Sequence, residues 1–198
     1  EVDVDRVEIR RCREFGAVWL GWQLIAKLGL ETFLAGEMAQ GREQVPWDTM
    51  CWVLVLSRLC DPSSELYIAE HLYARTALVD LLRVPERCVN DDRLYRALDA
   101  LLPHKRRLES YLKERMGELF KLSYDLLLYD VTSTYFEGEM AGNPQAQRGY
   151  SRDKRPDCKQ VCIGLVVSRC GMSLGYEVFE GNRHDTDEPI GFGCWIGG

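Results

Sequence analysis

The reading of this chain turns on one stretch, Tyr124-Asp-Leu-Leu-Leu-Tyr-Asp130-Val-Thr-Ser-Thr-Tyr-Phe136. It is dense in Leu, Tyr, Val and Thr, residues that fit a pleated, half-buried surface, and it reads as a strand. Period-two alternation sends Leu126, Leu128, Asp130, Thr132 and Thr134 to one face. Leu127, Tyr129, Val131 and Ser133 go to the other. A carboxylate behind two leucines on one face is costly to bury unless a cation or strong donors meet it. Two readings of Asp130 follow. It is a strand-end Asp, solvated or binding its neighbours' backbone, or a metal ligand on a rigid strand with Thr132 and Thr134 as hydroxyl support.

Further strands follow downstream. Gln160–Arg169 is an apolar run suited to the middle of a sheet. Cys170-Gly171 supplies a tight turn, and Ser173–Glu180 alternates Leu174, Tyr176 and Val178 as a third strand. The connection from Glu137 to Lys159 is long and carries Gly138, Gly142, Asn143, Pro144, Gly149 and Pro156. Long loops of this kind inside compact domains are often functional.

Upstream, the first 122 residues read as helical. Ala17–Leu30 has apolar residues at helical spacing and a stop near Gly29. Trp47–Cys60 is apolar nearly all round, the pattern of a central buried helix. Asp61-Pro62 reads as the cap and first residue of a helix running to about Arg75. Asn90 caps a helix with Leu94, Leu98, Leu101 and Leu102 on one stripe, ended by Pro103. His104–Leu122 is a charged amphipathic helix. The fold class is therefore α+β, with residues 1–122 helical, 123–188 the start of a β-core and 189–198 a divergent tail. Three strands alone leave edges and a face open, so a larger domain cut short is the expectation.

Composition bounds the function. The chain has 198 residues, 46% hydrophobic and 28% charged, which suits a globular protein that buries its own core. No apolar run approaches the roughly 20 residues of a membrane span, and no signal peptide is visible, so a soluble cytoplasmic protein with no membrane partner is expected. The net charge of −6 gives no overall basic footprint. Basic groups do cluster in Gln145–Gln160, where Arg148, Arg152, Lys154, Arg155 and Lys159 outnumber Asp153 and Asp157. Contact with a polyanion is expected there, beside Asp130, with Tyr150 stacking on a base or sugar.

Eight Cys are scattered without a Cys-x-x-Cys pair, so a disulfide framework is not expected. Cys158, Cys162 and Cys170 share parity and could line one face near His184, either as buried thiols or as a metal cluster. Glu180-Gly-Asn-Arg-His-Asp-Thr-Asp-Glu188 reads as a helix cap, with Asp185 or Thr186 capping, or as a second piece of a metal site. No glycine-rich phosphate loop and no Gly-x-Ser-x-Gly elbow occurs, which leaves nucleotide hydrolysis and acyl transfer without support.

Three segments in order carry a resemblance: Tyr129–Gly138, Arg148–Gln160 and Gly175–Asp185. Together they closely resemble bacterial insertion-sequence transposases of the DDE type. The resemblance implies a ribonuclease-H-like core in which three carboxylates hold two divalent metals, Mg²⁺ or Mn²⁺, for DNA strand cleavage and transfer. It matches Asp130 to the first carboxylate, implies terminal inverted repeats as the DNA partner and leaves room for a homodimer. The second Asp and the Glu of that pattern have no match in this chain, and Asp185, Asp187 and Glu188 do not replace them. The resemblance thus implies an inactive fragment of a transposase. A non-catalytic DNA-binding or regulatory module derived from one is the alternative.

Overall fold

Helix α3, Trp47–Cys60, is the centre of the helical part, and its composition explains why. Met50, Cys51, Trp52, Val53, Leu54, Leu56 and Ser57 are all buried, so neighbours cover the helix on most sides. The computed structural model describes residues 12–38, 41–122, 127–150 and 154–183. The chain divides into two compact units, Glu1–Leu108 and Glu109–Gly198.

In the first unit, α1 (Gly16–Leu28) stops where Gly29 turns left-handed at φ 71°. Its N–H closes onto the carbonyl of Ala26, a helix end that glycine reaches without steric cost. A short helix the sequence reading did not separate, α2 (Leu30–Glu37), restarts at once. Packing of α1 on α3 depends on Gly21: a Cβ there would lie 2.8 Å from Leu56 Cδ2 and 3.1 Å from Leu59 Cδ2.

After α3 the chain does not restart at Pro62 as the cap pattern suggested. Ser64 is the cap, its Oγ accepting from Tyr67 N at 3.3 Å. The helix then runs as α4 (Glu65–Tyr67), a π turn (Ile68–Leu72) and α5 (Tyr73–Arg75). Asp61 and Pro62 belong to the turn before it, where Ser63 Oγ donates to Asp61 O at 3.0 Å. A short α6 (Leu78–Leu82) precedes α7 (Asp91–Leu101), whose expected cap is present: Asn90 Oδ1 accepts from Arg93 N at 2.8 Å. Helix α7 packs along α3 and carries Leu94 and Ala97 into the core. A 3₁₀ turn, Leu102–His104, leads into α8 (Lys105–Phe120).

The second unit holds an antiparallel sheet of order β1-β2-β3 among the described residues, formed by Leu127–Phe136, Lys159–Ser168 and Ser173–Glu180. β2 is central, and its continuous apolar run is largely buried. Gly171, at φ 81°, makes the β2–β3 turn, with Ser168 N donating to Met172 O at 2.8 Å. Glu109 of α8 reaches the outer edge of β3, where its buried carboxylate accepts from Tyr176 N at 3.3 Å. A charged partner on that edge keeps its N–H from recruiting another strand. The architecture is α+β, and no helix among the described residues is long and apolar enough to cross a membrane.

Candidate functional site

Asp130 sits inside the β1–β2 ladder, paired with Leu165, and is exposed. Thr132 and Thr134, two and four residues on, are also exposed, whereas Val131, Ser133 and Tyr135 between them are half-buried. The alternation read from sequence is therefore present over residues 130–135, with the carboxylate on the open face. Across that face Leu165 and Tyr176 continue the same row, 38% and 43% exposed. Asp130 is solvated, but it lies within the ten-residue strand rather than at its end. Among the described residues it belongs to no group of three or more His, Cys, Asp or Glu able to hold a metal ion.

The loop between β1 and β2 is stitched back onto the sheet. β3 ends at Glu180, opposite Val161, and at the next rung Gln147 takes the place beside Gln160. The two exchange backbone hydrogen bonds, Gln147 N to Gln160 O at 3.1 Å and Gln160 N to Gln147 O at 2.9 Å. Gly181 N donates to Gln145 O at 3.0 Å. Side chains are excluded where these segments cross: a Cβ on Gly149 would lie 2.1 Å from Gly181 O, and one on Gly181 2.0 Å from Gln160 O.

This stitching fixes an open depression of about 730 Å³ whose lining includes Phe136, Glu137, Glu139, Arg148, Arg155, Asp157 and Lys159. Arg155 is the best anchored of its cations. Its Nε and Nη2 donate to the Asp157 carboxylate at 3.1 and 3.0 Å, Nη2 also reaches Cys158 Sγ at 2.9 Å, and the guanidinium lies 5.1 Å from the Tyr135 ring centroid. That pairing raises the Arg155 pKa and draws the Asp157 carboxyl down to about 2. Burial pushes the Cys158 thiol up.

The basic residues do not emerge beside Asp130, as the sequence reading expected. Lys159 pairs with Phe136, six rungs from the Asp130–Leu165 pair. At about 3.3 Å per residue that separates the loop from Asp130 by roughly 20 Å. The reason is topological: a loop joining two antiparallel strands leaves from the end of the first, and Asp130 lies near β1's start. Arg148 and Lys154 are exposed, Tyr150 is 85% exposed and Arg152 lies outside the described residues. The local excess of positive charge is also diluted, because Glu137 and Glu139 share the depression.

The three cysteines of equal parity do not converge. Cys158 precedes β2, Cys162 lies within it, and Cys170 is exposed in the turn beyond, its Sγ 3.1 Å from Ser168 Oγ. His184, Asp185, Thr186, Asp187 and Glu188 lie outside the described residues. Sequence reasoning missed Gln147, Gly149, Gln160 and Gly181, which set the loop's position. The available signal was a polar Gln160 at the head of an otherwise apolar strand.

Comparison with protein-family models, curated proteins and solved structures found no match for this chain.

Proposed function

We propose that this chain is part of a DDE-type DNA transposase, with Asp130 as the first metal-binding carboxylate of a ribonuclease-H-like core. The observation that carries the reading is the placement of Asp130: an exposed carboxylate inside a ten-residue strand, held by a continuous ladder, with two exposed threonines on its face. A strand fixes ligand geometry better than a loop. DNA ending in terminal inverted repeats is the substrate. Arg148, Lys154 and Lys159 contact its backbone at a distance from the reacting phosphate, and Tyr150 stacks on a base or sugar. Arg152 belongs to the same basic segment in sequence, and Arg155 chiefly braces the loop through Asp157.

Two-metal phosphoryl transfer needs ions about 3.5–4 Å apart, and one carboxylate does not hold such a pair. Asp130 does not fit the metal pair alone, so its role is to supply one ligand. The test is cleavage of terminal-repeat DNA with Mg²⁺ or Mn²⁺ by a longer chain carrying the other two carboxylates, with and without Asp130→Asn. Activity lost on that substitution supports the reading, and full activity removes Asp130 from the site. DNA contact is tested separately by gel shift of the 198-residue chain across salt concentrations. A binder through phosphates loses affinity steeply as salt rises. Absence of binding at low salt rejects the loop's role.

A further inference from the structure

Gln160 is 2% exposed, at the start of the central strand and on a buried face where an apolar residue would pack at no polar cost. Its carboxamide makes two hydrogen bonds: Nε2 donates to Tyr150 O at 2.9 Å and to Gly181 O at 2.7 Å. Both partners are carbonyls, which only accept, so the NH₂ end of the amide is assigned by the network itself. The backbone of the same residue pairs with Gln147, and its rung on the other side pairs with Tyr135 of β1. Gln160 therefore meets each of the three segments that carry the family resemblance. Tyr135 lies in the first, Tyr150 in the second and Gly181 in the third.

We propose that Gln160 is a positioning residue, a clamp that holds the loop backbone at Arg148–Tyr150 against the end of β3 so that both side chains project from a fixed frame. The Tyr150 carbonyl is turned inward to Gln160 while its side chain is 85% exposed. Gly149 lies so close to the Gly181 carbonyl, and Gly181 so close to the Gln160 and Gln147 carbonyls, that neither position admits a Cβ without displacing backbone. An exposed aromatic on a pinned main chain loses little freedom when a ligand covers it. The part of this inference that concerns DNA rests on the proposed function. The clamp itself stands on the geometry.

The experiment uses the 198-residue chain and two substitutions that attack the clamp from opposite sides. Gln160→Met keeps size and removes both donors; Gly149→Ala keeps Gln160 and drives a Cβ into the Gly181 carbonyl. Tryptic cleavage after Arg148 is timed under native conditions, with circular dichroism confirming that each variant is folded. Loss of the two Gln160 hydrogen bonds in one variant, and the backbone clash in the other, is expected to speed cleavage about tenfold or more. An unchanged rate in a folded Gly149→Ala chain overturns the clamp, as does an unchanged rate in Gln160→Met. DNA affinity is read in parallel, alone and combined with Arg148→Gln. A Gln160→Met effect that shrinks when Arg148 is already neutral supports positioning through Arg148; a fully additive effect overturns it. Faster cleavage in a chain that never binds DNA supports the clamp and rejects the loop's role in DNA contact.

Discussion

Asp130 and Lys159 lie on one two-stranded ladder, six rungs apart. The carboxylate and the basic loop therefore address different points along any extended ligand that runs parallel to the strands.

For DNA that spacing has a measurable value. Roughly 20 Å of strand corresponds to about six nucleotides at about 3.4 Å rise each. Cross-linking from a photoreactive group at Arg148 is expected about six nucleotides from the position reached by a probe at Asp130. Cross-links from both positions to the same nucleotide would contradict the placement of the loop.

Gly21 is expected to be intolerant of a branched side chain. Leu56, which a Cβ at Gly21 would meet at 2.8 Å, is itself fully buried, so it has nowhere to retreat. Gly21→Val should lower stability by about 1–3 kcal/mol through overpacking, read as a lower urea midpoint with unchanged slope. An unchanged midpoint would show that α1 and α3 do not approach so closely.

Much of this packing was legible before any coordinates. The bounds of α3 and β3 coincide with those read from sequence, because one helix is apolar around its girth and one strand follows directly on a glycine turn. The Asn90 cap and the Gly29 stop were visible because each acts within four residues. The π turn at Ile68–Leu72 has no local signature, and Pro62 outweighed Ser64 in the reading of the preceding turn. Asp130 was visible as a polar break in an apolar run. Gln160 makes a similar break at the head of its strand, but its role was not legible, because its partners lie 10 and 21 residues away in sequence.

The thiols should separate by reactivity. Burial and the nearby Asp48 charge raise Cys51 to about 12, while Ser168 and the Met172 amide lower Cys170, which is exposed. At pH 8 a maleimide should label Cys170 rapidly and leave Cys51 unmodified in the folded chain. Mass mapping after brief labelling checks this, and a Cys51 adduct at early times would contradict its burial.

The Arg155–Asp157 pair sets an acid limit on loop order. Asp157 titrates near 2 in the folded chain against the usual 3.8, so its contribution is present above about pH 4 and lost as pH falls through 2. Carboxyl NMR of Asp157 should show a midpoint near 2 that returns toward 3.8 in Arg155→Gln. A midpoint unmoved by that substitution would show that Arg155 is not the cause.

Because Gln147 and Gln160 occupy one rung, the chain between them leaves and re-enters the sheet at a single place. Its length is therefore decoupled from the strands on either side. Doubling such an excursion costs only about 0.6 kcal/mol in closure entropy, so a peptide tag spliced between Lys154 and Arg155 should leave the sheet folded. One residue spliced between Gln160 and Leu165 would instead shift every later β2 side chain to the opposite face. The same chain thus contains a segment open to lengthening and, a few residues on, one where a single added residue is not absorbed.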